Sequence, residues 1–507
     1  MAKPHLMLNQ GTSRSFVFCF YVSGHGWGHA TRANQIISDI LRLPAQHQVY
    51  VISNASSFIF QGVIEVGAIY RQADIDAGVV QPLAYTVDRQ QTIDNLKQFI
   101  QRRPQTLRKE IEWLKQVKAD CVVCDAPFLP CAAAAGANIP AAIASNFTFD
   151  EVYQGLCEGD DLDKDIHDLV RLVIEDYRNA DLLIRLPGAI RIPSFEDAED
   201  LVPKTPIDAS SRGIVNGKSH LPFVSDANVP SSRSESPTDD IDETIPTDDE
   251  PLKPKHQPLI ANLENAKQRG LCRRFERRIV DVPLVFRKHR VARETVLADL
   301  GIPKPIYDSH KILLLSFGGQ VLGKALWKEH NPLPPDWICI VCGAPDHVEL
   351  PDLFYRASKD AYVPDLTNAA DVVLGKLGYG TCSECISTAT PFVYVPRPQF
   401  IEEYGLRKLM MDQGSAVELD RHDFEAGHWA DAILQAAQLP GTCHEPTRLV
   451  GHDGGPVSAR ILERFVIEWN ALTTNTPAMA LLEKQPLPSL YANPVSPNPA
   501  TYTKASG

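Results

Sequence analysis

The sequence has no apolar run that approaches the ~20 residues of a membrane-spanning helix. Its alanine-rich stretch 131–144 comes nearest, and Gly136, Asn138 and Pro140 interrupt it. Residues 1–15 also lack the apolar core of a secretory signal peptide. We therefore predict a cytoplasmic protein without a transmembrane segment.

The sequence also lacks an excess of positive charge. It has 63 acidic residues against 50 lysines and arginines, a net charge of −13, and no basic stripe interleaved with aromatic residues. A nucleic-acid partner therefore has no electrostatic support.

Cysteine is scattered rather than spaced in a disulfide framework. Many of the 11 cysteines lie in apolar, strand-like runs, where a reduced cysteine acts as a small hydrophobe. Two CxxC pairs, Cys121 with Cys124 and Cys382 with Cys385, lie in a predicted strand and at a predicted helix start. Zinc sites are usually carried by turns, so we predict neither disulfides nor a metal site.

Apolar strands alternate with helical patterns from residue 16 onward. The first predicted helix, which follows the loop 24–32, has Ala33, Ile36, Ile37, Ile40 and Leu41 at helical spacing. Such alternation predicts a doubly wound α/β domain with a parallel sheet. The predicted strands are 16–23, 48–55, 120–126, 140–146 and 181–188, and residues 91–117 form a long predicted helix.

The pattern stops and then resumes, which divides the chain. Residues 197–268 are rich in Pro, Ser, Asp and Glu, without periodicity, which predicts a disordered insertion. A second α/β domain then has predicted strands at 311–319, 336–344, 360–363, 370–380 and 390–397. The predicted organisation is a flexible N-terminus (1–15), a first domain (16–196), the insertion (197–268), a second domain (269–472) and a disordered tail (473–507).

Ligands of doubly wound sheets bind beyond the carboxyl ends of the strands, so the loops there are the candidate sites. The first such loop, 24–32, has three glycines that allow a tight turn: Gly24, Gly26 and Gly28. It also carries two imidazoles and a guanidinium, from His25, His29 and Arg32. The loop fits neither GxGxxG with a following acidic residue nor a P-loop, which leaves ligand binding of another kind or plain turn packing.

A second loop, 375–384, joins a predicted strand to a helix. Its glycines and hydroxyls at a helix start would present backbone N–H groups to an anion such as a diphosphate. Thr381 and Glu384 also have the spacing of a capping box, and this structural role can coexist with binding.

Five segments now point to a family. SGHGWGHATR (23–32), FGGQ (317–320), CGA (342–344), GKLGYGTCSE (375–384) and PFVYVPR (391–397), followed by Glu402 and Glu403, resemble the glycosyltransferase-like N-terminal half of plant-type L-arabinokinases. They resemble more distantly the lipid-II-forming N-acetylglucosaminyltransferases, whose C-terminal domain defines glycosyltransferase family 28. The resemblance covers roughly residues 16–191 and 281–472.

This resemblance implies a GT-B fold, in which two doubly wound domains face each other across a cleft. The acceptor would bind the first domain and the nucleotide sugar mainly the second. By position, His29 matches the proposed catalytic base and Glu384 the carboxylate that grips the donor ribose. The remaining donor-side residues implied are Gly24, Gly26, Gly28, Gly318, Gly319, Gln320, Gly343, Gly378, Tyr379, Gly380 and Thr381.

The reaction implied is inverting, metal-independent hexosyl transfer from a nucleoside diphosphate sugar, a UDP-sugar by resemblance, without a cofactor. His29 or His25 would deprotonate the acceptor, while Lys376 and Arg32 would stabilise the leaving diphosphate. Glu402 and Glu403 are candidates for binding sugar hydroxyls, or they are simply solvated surface carboxylates. The acceptor-side candidates are Trp27, Asp125 and Asn146. Arg185 is a weaker candidate on the same side. Trp27 is equally suited to core packing.

Two rival functions remain open at this point. The same cleft could serve a non-catalytic nucleotide-sugar sensor or scaffold, or an epimerase-like or hydrolytic enzyme of the same fold. The sequence shows no segment resembling the kinase domain of arabinokinases, so we expect no sugar kinase activity. The acceptor, the sugar and the oligomeric state are not predicted.

Overall fold

The computed structural model describes residues 14–25, 27–196, 277–318, 331–440 and 450–474. The predicted insertion (197–268) and the tail beyond Thr474 lie outside the described residues. No helix in the described part of the chain is long and apolar enough to cross a bilayer.

The first sheet is parallel throughout, in the strand order β3-β2-β1-β4-β5-β6-β7. Its strands are β1 (Val17–Val22), β2 (Gln48–Ser53), β3 (Ile69–Gln72), β4 (Cys121–Asp125), β5 (Ala141–Ser145), β6 (Leu182–Arg185) and β7 (Arg278–Asp281). The helices among them are α1 (Trp27–Leu41), α2 (Gln61–Ile64), α3 (Arg89–Gln116), α4 (Leu129–Ala137), α5 (Phe149–Gln154) and α6 (Leu162–Tyr177). Short 3₁₀ turns lie at Ser57–Phe60 and Pro193–Phe195.

The apolar patterns explain why this sheet is covered on both faces. In β1, Phe18 and Phe20 pack into one apolar cluster, while Cys19 and Tyr21 pack into another on the opposite face. Successive side chains of a strand alternate between faces, so an unbroken apolar strand needs helices on both sides.

The second sheet repeats the same design with the order β10-β9-β8-β11-β12-β13, again all parallel. Its strands are β8 (Lys311–Ser316), β9 (Trp337–Val341), β10 (Phe354–Arg356), β11 (Val372–Gly375), β12 (Phe392–Tyr394) and β13 (Ala416–Glu418). The helices are α7 (Arg293–Asp299), α8 (Lys304–Ser309), α9 (Val363–Ala369), α10 (Tyr379–Thr388), α11 (Glu402–Gln413), α12 (Arg421–Ala426), α13 (Ala430–Ala437) and α14 (Gly454–Thr474).

The predicted strand at 360–363 is wrong. Val363 begins α9, and Pro364 occupies its first turn, where the missing N–H of proline costs nothing. The strand lies instead at β10, where Phe354 pairs with Cys339.

Two elements of the second predicted domain pack in the first domain. Strand β7 pairs with β6 in the first sheet, although the sequence placed everything from residue 269 in the second domain. Helix α14 packs against α1. It also contacts two other parts of the first domain, since His47 Nε2 lies 3.1 Å from Glu463 Oε1 and Arg278 of β7 donates to Glu468 at 2.5 Å. These contacts show that the first domain is completed by residues from the end of the described chain.

The order of each sheet identifies where ligands can bind. In the first sheet the direction of strand addition reverses between β1 and β4, and in the second between β8 and β11. The loops at such switch points open a crevice beyond the strand ends. The loop after β1, Asp125 at the end of β4, Gly318 after β8 and Lys376 after β11 all lie at these points.

Candidate functional site

Two adjoining cavities lie between the switch points of the two sheets. The larger, of about 620 Å³, is lined by thirteen predicted site residues: His25, Gly28, His29, Arg32, Gly318, Gly343, Lys376, Gly378, Tyr379, Gly380, Thr381, Glu384 and Glu402. The smaller, of about 350 Å³, is lined by His25, His29, Val79, Val80, Gln81, Phe149 and Phe400. His25 and His29 therefore stand where the two cavities meet.

His29 is oriented by a buried carboxylate. Its Nδ1 lies 3.1 Å from Asp125 Oδ1 and 3.0 Å from Arg32 Nη2, and its ring packs against Phe147 at 5.2 Å between centroids. The two neighbours favour opposite tautomers, because Asp125 can only accept and Arg32 can only donate. In the tautomer whose Nδ1 proton is directed at Asp125, the lone pair lies on Nε2, as a general base needs. Burial alone would raise the pKa of Asp125, but Arg32 and His29 outweigh it and lower the pKa to about 2. Asp125 is thus an anion at neutral pH.

Arg32 lines the larger cavity, but most of its donors face groups of the same chain. Its Nε and Nη2 donate to Asp125 at 2.7 and 2.6 Å, Nη2 also donates to Ser145 Oγ at 2.9 Å, and Nη1 donates to Asn146. The side chain is 2% exposed. Four of the five N–H groups of this guanidinium donate to acceptors of the same chain, so Arg32 holds Asp125 in place and directs few donors into the cavity.

His25 occupies a different electrostatic setting from His29. Its Nε2 lies 3.3 Å from Oδ1 of the buried Asp76, and its ring packs on Gly78, where a Cβ would come within 1.9 Å. Burial lowers the pKa of His25, but the hydrogen bond and charge of Asp76 more than compensate and raise it above the ordinary value. A proton held in this way makes His25 a weaker candidate for the base than His29.

The N-terminus of α10 faces the larger cavity. Its N-cap is Gly378, so the predicted capping box with Thr381 as N-cap is wrong. A Cβ on Gly380 would lie 2.8 Å from Thr31 Oγ1, so glycine is what lets this helix end approach α1. No described residue accepts a hydrogen bond from the N–H groups of Gly380 and Thr381. Free backbone donors together with the helix dipole are the groups that an anion can bind.

Lys376 adds a cation beside this helix end. It is half-buried, lines the larger cavity and makes no hydrogen bond to any residue that the structure describes. Burial, together with the charge of Arg397, lowers the pKa of Lys376 to about 7. A bound anion would favour its charged form.

Glu384 is held by an arginine that the sequence did not single out. Both Nε and Nη2 of Arg287 donate to the same oxygen, Oε1, at 3.0 and 2.8 Å. Burial raises the pKa of Glu384, against the opposing effect of Arg287. The arrangement leaves Oε2 without a hydrogen bond to a described residue, and therefore available to a ligand hydroxyl.

The two predicted sugar-binding carboxylates have different environments. Glu402 lines the larger cavity and accepts a hydrogen bond from Asn146 at 3.2 Å. Glu403 instead accepts from the backbone N–H of Arg397 at 3.0 Å and from its Nε at 3.3 Å. Neither is a solvated surface carboxylate, and Glu403 stabilises its own loop rather than lining a cavity.

Several other predicted residues lie off the cavities or outside the described residues. Asn146 stands behind Arg32, and Arg185 forms a partly exposed ion pair with Asp281 at 2.6 Å. Gly24 packs against Asn54, whose Oδ1 would lie 2.1 Å from an added Cβ. Gly26, Gly319, Gln320 and the side chain of Trp27 are outside what the structure describes.

Three residues of the site carry no recognisable signal in the sequence. Asp76 and Gln81 lie in a stretch without periodicity, and Arg287 lies in the irregular segment after β7. An isolated charge in irregular sequence carries no local signal, so only the fold brings these side chains to the cleft. Among the described residues, no three His, Cys, Asp or Glu side chains are grouped as a metal site requires.

Two doubly wound domains whose switch points face one cleft define the GT-B class, and the predicted fold class is confirmed. No family model matches the chain. L-arabinokinase from Arabidopsis thaliana is 31% identical to it over 464 residues, which confirms the predicted resemblance. The match covers 90% of this chain, while the chain spans 35% of the length of the plant protein.

The chain is also similar to solved glycosyltransferase structures. CalG4, the calicheamicin glycosyltransferase, is 15% identical with a TM-score of 0.47, covering 93% of this chain and 99% of that one. Spinosyn rhamnosyltransferase SpnG, complexed with spinosyn aglycone, is 11% identical with a TM-score of 0.45, covering 92% and 99%. SnogD from Streptomyces nogalater is 13% identical with a TM-score of 0.43, covering 93% and 99%.

Proposed function

We propose that the chain transfers a hexosyl group from a nucleoside diphosphate sugar to an acceptor hydroxyl, with inversion and without a metal ion. The observation that carries this proposal is the position of His29. Buried Asp125 fixes its Nδ1 at 3.1 Å, and its ring stands where the two cavities meet. A general base at this position can deprotonate an acceptor bound in one cavity while the donor lies in the other.

The larger cavity supports the donor assignment. The free N–H groups at the start of α10 and the ammonium of Lys376 suit the diphosphate, and Oε2 of Glu384 suits a ribose hydroxyl. Gly318 and Gly343 line the same cavity at the ends of β8 and β9. The resemblance of these motifs makes a UDP-sugar the donor that we propose.

The smaller cavity then takes the acceptor. Two valines and two phenylalanines line it on the apolar side, and His25, His29 and Gln81 supply polar groups. An acceptor hydroxyl at Nε2 of His29 would lie on the first-domain side of the cleft. The diphosphate would lie against α10 on the second-domain side.

The proposed reaction is a single displacement. Nε2 of His29 takes the hydroxyl proton while the acceptor oxygen attacks the anomeric carbon, and the bond to the diphosphate breaks. The N-terminus of α10 and Lys376 receive the negative charge on the leaving diphosphate. Asp125 stabilises the imidazolium that forms on His29. Attack opposite the leaving group inverts the anomeric centre.

A thermal-shift screen against nucleoside diphosphates and their sugars tests the donor site, because a ligand of the folded state raises its stability. We expect UDP and one UDP-sugar to raise the melting temperature. In a transfer assay, the protein should then transfer the sugar of that UDP-sugar to an acceptor. Donor binding without any transfer would instead favour the non-catalytic sensor.

Glu384→Ala should weaken UDP binding by about 10- to 100-fold, since a hydrogen bond to a charged group is lost. Titration calorimetry measures the change. Glu384→Gln, which keeps the shape and one acceptor oxygen, is the matched variant and should fall between the two proteins. Unchanged affinity in Glu384→Ala would refute the ribose contact.

Lys376 should make UDP binding depend on pH. Because burial lowers the pKa of Lys376 to about 7, the side chain must take up a proton to meet the diphosphate at higher pH. UDP affinity is then greatest below pH 7 and falls by up to about tenfold per pH unit above it, a range in which the terminal phosphate is already ionised. Calorimetry between pH 7 and 8.5 should show this slope.

The matched variant for this measurement is Lys376→Met, which keeps the apolar stem and removes the titrating group. Its UDP affinity should be lower and nearly independent of pH in the same range. An equal slope in both proteins would show that another group takes up the proton.

A further inference from the structure

The segment between β3 and α3 contains no helix or strand, yet its side chains pack into apolar clusters of both domains. Ile75, Ala77 and Val79 belong to an apolar cluster of the first domain. Ala84, a few residues later, belongs to the apolar cluster around the second sheet, and Tyr85 packs against that cluster. One irregular segment therefore bridges the two domains.

Tyr85 is the main contact at the tip of this segment. Its ring centroid lies 6.3 Å from that of Phe317 and 6.0 Å from that of Phe424, both in edge-on geometry. Its hydroxyl donates to Glu425 Oε1 at 2.9 Å, and the guanidinium of Arg421 lies 5.0 Å from the ring centroid. The second domain thus holds this side chain through apolar, polar and cationic contacts.

The two ends of this segment, residues 78–80 and residue 88, which we call the neck, are fixed to the first domain. The N–H of Asp88 donates to the carbonyl of Val80 at 2.9 Å, and the N–H of Val80 donates to Thr92 Oγ1 at 3.0 Å. The hydroxyl of Tyr153 donates to the carbonyl of Gly78 at 3.1 Å. Residues 81–87, which we call the strap, are the part that extends from this neck to the second domain.

The neck and the strap form one wall of the smaller cavity. Val79, Val80 and Gln81 line it, and Gln81 lines the larger cavity as well. Just before them, Gly78 supports the ring of His25. At the far end, Phe317 is directly followed by Gly318, which lines the larger cavity. The strap therefore links the wall of one cavity to the edge of the other.

We propose that Tyr85 is a positioning residue for the acceptor: by docking the strap on the second domain, it holds Val79, Val80 and Gln81 in place as the acceptor wall. This inference takes the identity of the acceptor cavity from the proposed function. Tyr85 itself touches neither cavity, so its effect must pass through the strap. Without its ring, the small Ala84 is the apolar side chain by which the strap still contacts the described residues of the second domain.

Hydrogen exchange of the full chain tests the docking without any need for activity. In Tyr85→Ala, exchange of the amides of Val80 and Asp88 should be about tenfold faster or more, because the neck opens once the tip is undocked. Tyr85→Phe, which loses only the hydrogen bond to Glu425, should be intermediate. Tyr307→Ala, the same change on the second domain away from the strap, should leave both amides at wild-type rates.

Steady-state kinetics test the positioning. Tyr85→Ala should raise the KM for the acceptor by about tenfold while the KM for the donor stays within about twofold, since only one wall is loosened. Wild-type exchange rates at Val80 and Asp88, or an equal rise in both KM values, would overturn the proposal. If the protein shows no transfer at all, the proposed function fails, and the exchange rates still decide whether Tyr85 holds the wall.

Discussion

His29→Ala should lower kcat for transfer by about 10²- to 10⁴-fold, the usual contribution of a general base, while UDP affinity stays within about twofold. The loss follows from geometry, because His29 has its Nδ1 fixed by Asp125 and its ring between the two cavities. The diphosphate site depends instead on α10, Lys376 and Glu384. A large loss of kcat with nearly unchanged UDP affinity is therefore the result that a general base predicts.

Transfer assays with the donor found by thermal shift, together with UDP calorimetry, measure this split. His25→Ala is the matched control, since it removes the other imidazole at the same junction. With its proton held by Asp76 at 3.3 Å, His25 should matter much less to kcat. Equal losses in the two variants, or full turnover without His29, would contradict the assignment.

Asp125→Asn should lower the free energy of unfolding by about 3–5 kcal/mol, because it leaves the buried guanidinium of Arg32 without its counter-charge. Arg32 is 2% exposed and donates twice to this carboxylate, so water cannot replace the lost charge. The same variant should also lower kcat, since His29 loses the anion that orients it. Urea unfolding followed by tryptophan fluorescence measures the stability change.

The double variant Arg32→Met/Asp125→Asn separates the charge effect from a packing effect. Removing both charges should recover part of the stability, which would appear as a coupling energy between the two positions. A double variant whose loss equals the sum of the single losses would contradict the ion pair.

The stabilisation by Asp125 should also depend on pH. Because the pKa of Asp125 falls from its ordinary 3.8 to about 2 in the fold, its contribution to the free energy of unfolding is complete above about pH 4. The contribution is lost as the pH falls through 2.

The local chemistry of the two loops was predictable from the sequence, but the pairing of their residues was not. The two histidines after β1 and the glycines at the start of α10 were visible as residues near strand ends. The predicted loop 24–32 was too long, however, because α1 begins at Trp27 and includes His29 and Arg32. The contact between His29 and Asp125 spans 96 residues, and only the order of β1 and β4 in the sheet brings them together. A single sequence carries no local pattern for such a pair.

Arg32 shows why a charge near a glycine loop is ambiguous. A guanidinium at a strand end fits an anionic ligand, and it fits a buried carboxylate of the same chain equally well. In the structure Asp125 accepts from both Nε and Nη2 of Arg32, while a contact between Arg32 and a ligand stays a prediction. A single sequence does not reveal how many internal acceptors surround such a side chain.

The missed strands and the strap have a common physical cause. Strand β3 has four residues and β13 has three, too few for an alternating pattern to be distinct from chance. The strap has no periodicity at all, and Tyr85 is packed because of Phe317 and Phe424, which are distant in the chain. Tertiary contacts determine these parts of the fold.

The path of the chain also determines the order in which the first domain can be made. Strand β7 adds the last strand of its sheet from beyond residue 277, and α14, which ends at Thr474, packs on α1. The ribosome releases the chain from the N-terminus, so α1 emerges long before the helix that covers it. During synthesis the second domain can therefore close its own sheet before α14 covers α1. Of the two domains, the one whose strands are made first is completed after the other.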